Sequence, residues 1–161
     1  MLATSFSTIV SEPFASTSSI AVFPTVNGTY FYQLDLGPQQ TSNVFENGTS
    51  GIHIITVFDQ DVCSSPTTAE VLIIDYPKFF TPNDDGFNDT WNIDGLLFQS
   101  KSKIFIFDSY GKLLKQIVPF SSGWDGTYNG NNLPSTDYWF TVDFEYNNNK
   151  LQFKSHFSLK R

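Results

Sequence analysis

The sequence predicts an all-β protein made of two β-sandwich domains in tandem. Its 161 residues include 17 Phe, 7 Tyr and 3 Trp, and aromatic and β-branched side chains favour strands. Asn, Ser, Thr and Gly separate the apolar runs and are typical of turns. Since no apolar stripe with helical spacing accompanies these runs, strands and turns account for the whole pattern.

The charge distribution divides the chain at Lys78. No Lys or Arg precedes this residue. The acidic residues before it are Glu12, Asp35, Glu46, Asp59, Asp61, Glu70 and Asp75. All 9 bases lie from Lys78 onward. The segment 78–92 is therefore the expected joint, and we expect one domain at residues 1–76 and a second at residues 77–161.

Short apolar runs follow one another in the first domain. Asn27 and Gly28 stand before the third run and are typical of a hairpin turn. Residues 51–58 carry apolar side chains on both faces, so this strand is expected to be covered on both sides. The runs are 4–10, 19–24, 30–36, 51–58 and 70–75. About six short strands in a domain of this size predict a sandwich of the immunoglobulin type.

The second domain contains two predicted hairpins. Residues 102–107 and 113–118 flank Gly111, which marks the first turn. Two alternating runs, 138–146 and 151–159, flank a turn of three Asn residues and make the second hairpin. Phe79, Phe80 and Trp91 are the expected core anchors near its start. This half is likewise expected to be an immunoglobulin-like β-sandwich.

Composition excludes several classes of function. The net charge is −7, and no cluster of Lys and Arg is present to replace phosphate counterions, which argues against nucleic-acid binding. No stretch has transmembrane length, and the start lacks the features of a signal peptide. We therefore expect a fragment of a longer protein. The single Cys63 cannot form an internal disulfide and is expected to pack as a small apolar side chain.

An acidic turn at residues 83–89 is a candidate calcium site, because it is rich in the oxygen ligands that calcium prefers. The candidate ligands are Asn83, Asp85, Asn88 and Asp89. The EF-hand pattern does not fit: aligning Gly86 with the loop glycine places Thr81 and Asn92 where Asp and a bidentate Glu are required. The residue types favour another interpretation, in which these side chains cap amides of their own turn. No other cofactor is expected.

A sugar-binding platform and an enzyme active site are the other chemical possibilities. Trp124 and Trp139 stand among Gly, Asn and Asp residues, as in sugar-stacking loops, although anchoring of a loop to the core by Trp124 is the better explanation. His53 and His156 are the available bases, and neither lies in a nucleophile or metal motif. The adjacent carboxylates of Asp84 and Asp85 diverge from one turn. We therefore predict that the protein is not an enzyme.

Two resemblances add to these inferences. Residues 27–63, NGTYFYQLDLGPQQTSNVFENGTSGIHIITVFDQDVC, resemble the immunoglobulin-like repeats of large Bacteroidetes surface adhesins. Four ordered blocks resemble the gliding-motility-associated C-terminal domain, which is the type B sorting domain of the Bacteroidetes type IX secretion system. The blocks are YPKFFTPNDDGFNDTWNI, IFIFDSYGKLLKQI, GWDGTYNGNNLPSTDYWFTVDF and HFSLKR. Asp84 and Ser109 depart from the usual pattern of that family.

The second resemblance implies a targeting role. Such a domain directs an exported protein from the periplasm through the outer-membrane translocon to the cell surface or the medium. A PorP/SprF-like outer-membrane protein is the implied partner for export or surface attachment. The last strand offers backbone groups for strand addition and charges for partner register. The expected recognition residues are Lys154, His156, Phe157, Ser158, Leu159, Lys160 and Arg161. The alternative is a calcium- or glycan-binding adhesion module.

Overall fold

A computed structural model describes residues 4–61 and 65–161 of the chain. Cys63, expected to pack as a small apolar residue, lies outside the described residues. The chain divides into two compact units, Met1–Asp75 and Tyr76–Arg161. Both units are built from strands, which confirms the predicted all-β class. Within the described ranges, no helix is long and apolar enough to span a membrane.

The first unit is a sandwich of two antiparallel three-stranded sheets. Its strands are β1 (Phe6–Val10), β2 (Ser19–Pro24), β3 (Tyr30–Leu34), β4 (Val44–Glu46), β5 (Gly51–Asp59) and β6 (Thr67–Ile73). One sheet has the order β1-β2-β4 and the other β3-β5-β6. Ile20 and Val22 from the first sheet share one buried cluster with Ile55, Val57 and Val71 from the second. The two sheets therefore enclose a common core between their inner faces.

Two local predictions for this unit are wrong. Asn27 and Gly28 do not join a hairpin, because β2 and β3 belong to different sheets. Neither residue has the positive φ that a type I′ turn requires. The strand at 51–58 is covered on one side only: Ile52 and Ile54 are 49% and 46% exposed. Successive side chains point to opposite faces, and a two-sheet sandwich buries one face of each sheet.

The second unit contains a five-stranded sheet and a short separate hairpin. Its elements are β7 (Phe79–Phe80), a 3-10 helix (Asp94–Leu96), β8 (Lys103–Phe107), β9 (Leu113–Ile117), β10 (Thr127–Tyr128), β11 (Asn131–Asn132), β12 (Asp137–Tyr146) and β13 (Asn149–Leu159). The sheet order is β7-β13-β12-β8-β9, and β10 pairs with β11. The predicted β8–β9 and β12–β13 hairpins are confirmed. Gly111, Asn147 and Asn148 supply positive φ in their turns.

Aromatic side chains fill the core of the second unit. Trp91 stacks on Phe157 with ring centroids 3.9 Å apart, and Trp124 meets Phe157 edge-on at 6.0 Å. Trp91 and Trp124 also exchange two backbone hydrogen bonds of 2.9 Å. Loops fastened in this way cover one face of the sheet and form the second layer of a sandwich-like arrangement.

Two residues near the start of the second unit, Phe79 and Tyr76, differ from the sequence prediction. Phe80 and Trp91 are fully buried as expected, whereas Phe79 is 45% exposed. Adjacent residues of a strand face opposite sides, and Phe80 takes the buried side. Tyr76, expected in the first domain, belongs to the second unit. Its ring lies 4.9 Å from that of Phe140.

Candidate functional site

The acidic turn of the second unit is organised by the carboxylate of Asp89. One oxygen accepts the backbone N–H groups of Asn83 and Asp84 at 3.0 and 2.7 Å. The other oxygen accepts the N–H of Gly86 at 2.7 Å. Desolvation raises the pKa of Asp89, but the backbone donors together outweigh it and hold this pKa below its ordinary value. The carboxylate is therefore committed to the turn.

The other candidate calcium ligands are directed at the same turn. Asp85 accepts the N–H of Phe87 at 2.8 Å and the side-chain amide of Asn83 at 2.9 Å. Asn88 has a φ of 51°, and its carbonyl accepts the N–H of Thr81 at 2.7 Å. Among the described residues, no group of three or more His, Cys, Asp or Glu side chains is placed to hold a metal. The turn's own donors thus engage its carboxylates.

The two histidines lie in separate environments. His53 is buried in the first unit, with Nδ1 2.7 Å from the Asp35 carboxylate and Nε2 2.7 Å from the carbonyl of Thr49. Burial lowers the pKa of His53, but these two bonds outweigh it and raise the pKa above its ordinary value. His156 lies on the second unit, with Nδ1 3.6 Å from Asp137. His53 is thus placed to support the fold rather than to meet a substrate.

The end of β13 is built into the sheet rather than left open. Phe157 and Leu159 are each 1% exposed and belong to the core. The N–H of Ser158 donates to the carbonyl of Lys78 at 2.9 Å, and the N–H of Lys160 donates to that of Phe80 at 3.0 Å. β7 already pairs with residues 158–160. The expected addition of a partner strand therefore has no free edge at these residues while β7 remains in place.

Arg161 is also engaged within the unit. Its guanidinium donates to the carbonyl oxygens of Leu133 and, at 3.2 Å, Gly126. Its backbone N–H donates to the Ser135 hydroxyl at 2.9 Å. The side chain therefore ties the β10–β11 region to the last strand. Arg161 therefore has a structural role in addition to the recognition role that the sequence predicts.

The exposed members of the predicted recognition set share the outer face of the sheet. Lys154 and His156 point away from the core, since they alternate with the partly buried Ser155 and the buried Phe157. Their face also carries Trp139, which was not among the expected recognition residues although its side chain is 42% exposed. The available signal was its register: Trp139 occupies the outward position between two buried aromatics of β12.

Two surface depressions border this sheet. A hollow of about 310 Å³ lies between Phe107, Trp139 and Lys154. A wider, open groove of about 680 Å³ lies near the β12–β13 turn and is lined in part by Phe98 and Lys150. Both depressions mix acidic, basic and apolar side chains, and the hollow is lined by Asp108 and Lys154 beside Phe107, Trp139 and Phe140.

Comparison with known proteins identifies the class of the second unit. The model of the CHU_C type IX secretion signal domain matches residues 74–159, more than half of the chain. The chain therefore belongs to the type IX secretion signal domain family. Such a domain marks a protein for export to the cell surface or the extracellular space and is read by the type IX secretion machinery. The family is one of sorting signals, not of enzymes.

The other comparisons are more limited. The search of curated proteins found no match. Among solved structures, the BSP domain of a biofilm-associated protein matches with 13% sequence identity and a TM-score of 0.29. The match covers 94% of this chain and 29% of that protein's chain.

Proposed function

We propose that the second unit is a folded export and surface-attachment signal that the outer-membrane translocon and a PorP/SprF-like outer-membrane protein recognise. The observation that carries this proposal is the family match at residues 74–159, which extends over nearly the whole second unit. The burial of the expected terminal residues also bears on it. Since Phe157 and Leu159 are core residues, the machinery would read the surface of a folded domain rather than an extended peptide.

The first unit is proposed to be a repeat of a surface adhesin. Its two-sheet sandwich and the resemblance of residues 27–63 to adhesin repeats support this role. The unit would then serve as an adhesion or spacer module at the cell surface. No contact in the described residues favours calcium or glycan binding over this function.

Export of a neutral reporter tests the proposed signal. A periplasmic reporter is fused upstream of residues 1–161 and produced in a host with type IX secretion. We expect the reporter at the cell surface or in the medium, measured as the fraction that external protease can cleave plus the fraction in the medium. The same host without its translocon serves as the control and should retain the fusion in the periplasm.

A second strain tests the proposed partner. Deleting the PorP/SprF-like protein should lower the surface-attached fraction of the fusion while the fusion remains folded in the periplasm. Retention of the fusion in the periplasm of the competent host would overturn the sorting function. Unchanged surface attachment in the deletion strain would overturn the assigned partner alone.

A further inference from the structure

An apolar stripe crosses the outer face of the five-stranded sheet. Strand pairing places Trp139 of β12 opposite His156 of β13 and opposite Phe107 of β8. Phe107 in turn lies opposite Leu113 of β9. Adjacent strands are about 4.8 Å apart, so these four residues, here called the outer stripe, extend over about 14 Å. Trp139 and Leu113 are 42% and 47% exposed, so the stripe lies outside the folding core.

Two lysines border the stripe. Lys154 lies opposite Thr141 in the next row and lines the hollow beside Trp139. Lys160 places its ammonium 4.5 Å from the ring centroid of Phe79, which is half exposed on the same face. The aromatic surface is therefore accompanied by positive charge along the β13 side.

Two acidic residues of this face, Asp137 and Asp143, accept hydrogen bonds from neutral groups. Asp137 accepts a hydrogen bond of 2.5 Å from the Ser158 hydroxyl, and Asp143 accepts one of 2.8 Å from the Gln152 amide. In the part of the chain that the structure describes, neither Lys154 nor Lys160 has a carboxylate within ion-pair distance. The face thus offers apolar area beside two lysines that have no ion-pair partner, and a segment that complements both the lysines and the apolar area is acidic and apolar.

We propose that the outer stripe, together with Lys154 and Lys160, is the surface on which a component of the secretion machinery docks. The docking segment of that protein is acidic and inserts an apolar side chain into the hollow between Phe107 and Trp139. This inference rests on the proposed sorting function. Exposed aromatic side chains that become buried at the centre of an interface contribute most of its binding energy, and bordering charges set its register.

Export of the reporter fused to the full chain tests the docking surface. Trp139→Thr removes the aromatic anchor while keeping a side chain suited to a strand. A double variant, Lys154→Glu with Lys160→Glu, reverses the bordering charge at two exposed sites. Each is expected to lower the exported fraction about tenfold or more, as for truncation of an interface hot spot. Thermal unfolding of each purified fusion establishes that the domain remains folded.

Matched controls lie in the wider groove near the β12–β13 turn. Phe98→Thr removes an exposed aromatic side chain, and Lys150→Glu reverses a charge on the same strand and face as Lys154. Both should be exported like the unmodified fusion. Loss of export in these controls, or normal export of both stripe variants, would overturn the docking surface while the sorting function stands.

The remaining outcomes are also decisive. If Trp139→Thr blocks export and the double lysine variant does not, the acidic character of the partner is wrong. If the unmodified fusion is not exported, the sorting function fails, and the docking surface fails with it. An occupant such as a glycan would leave the export of every variant normal and would likewise overturn the proposal.

Discussion

A single histidine illustrates how residue chemistry supports the first unit. Both ring nitrogens of His53 face acceptors, the Asp35 carboxylate and the Thr49 carbonyl, each at 2.7 Å. A neutral imidazole has one N–H and can donate to only one of them, whereas the protonated ring donates to both. The charged form is therefore the one that the fold stabilises.

This arrangement predicts a pH dependence of stability. The folded pKa of His53 is raised, so its contribution is complete below its ordinary value of 6.5 and is lost as the pH rises through the folded pKa. The folded pKa of Asp35 is lowered, although desolvation opposes the shift. Its contribution is therefore present above its ordinary value of 3.8 and is lost as the pH falls through the folded pKa.

Thermal unfolding of a His53→Gln variant checks this prediction. At pH 6 the variant should lose about 1–2 kcal/mol of unfolding free energy, an estimate for hydrogen bonds to charged groups that already allows for screening at the half-exposed Asp35. The loss should shrink toward pH 9, as the native ring loses its proton above its raised folded pKa. The control His156→Gln replaces a histidine that is exposed and lies outside this pair, and it should cost less unfolding free energy at pH 6. An equal loss at both pH values would contradict the charged pair.

Gly126 provides a second test at the residue scale. Its φ is +78°, and an added Cβ would lie 2.6 Å from Leu159 Cδ1 and 3.0 Å from the Arg161 guanidinium. Gly130 has the same φ with nothing within 4 Å. Gly130→Ala should therefore cost about 1–2 kcal/mol from backbone strain alone. Gly126→Ala should cost about 1–3 kcal/mol more, through overpacking. Denaturant unfolding measures both, and equal losses would contradict the clash.

At the scale of elements, β13 combines a structural inner face with an exposed outer face. Deleting residues 157–161 would remove Phe157 and Leu159 from the core as well as the surface of Lys160. Loss of export after such a deletion would therefore not separate recognition from folding. Point variants on the outer face make that separation.

Truncation of Phe157 shows the structural role of the strand. Phe157→Ala removes a side chain that stacks on Trp91 at 3.9 Å and is 1% exposed. Such a change should lower the free energy of unfolding by about 3–5 kcal/mol. Urea unfolding of the full chain measures it, with Phe98→Ala as an exposed control. A variant of normal stability that is no longer exported would instead make Phe157 a recognised residue.

The sequence predicted the hairpins whose turn residues favour the backbone conformation that the turn requires. Gly111 and the Asn147–Asn148 pair adopt the positive φ that their residue types favour, and both adjoining hairpins form. Asn27 and Gly28 have the same local signal, but the chain crosses there to the other sheet. That crossing depends on long-range packing of the sandwich, which a two-residue pattern does not contain.

The candidate site was predictable only in part for a related reason. Alternation along β13 correctly separates the exposed Lys154 and His156 from neighbours on the other face. It does not reveal that Trp139, Phe107 and Leu113 continue the row, because that requires the registers of β12, β8 and β9. Likewise, the engagement of Arg161 depends on a loop about thirty residues earlier in the chain.

At the scale of the whole molecule, charge is segregated between the units. The first unit holds 7 of the 16 acids and none of the 9 bases, which leaves 9 acids and 9 bases in the second. The first unit thus accounts for the net charge of −7. Any acidic partner is therefore repelled by one unit and finds its positive contacts on the other.

The parallel pairing of β7 with β13 has a consequence for synthesis. Phe79 and Phe80, which enter the sheet first, pair with Ser158 and Leu159, which leave the ribosome some eighty residues later. The sheet cannot close before translation has passed Leu159, since the partner strand does not yet exist. A prematurely terminated product would consequently lack the folded signal. Completion of the chain and eligibility for export are thereby coupled by the order of two strands.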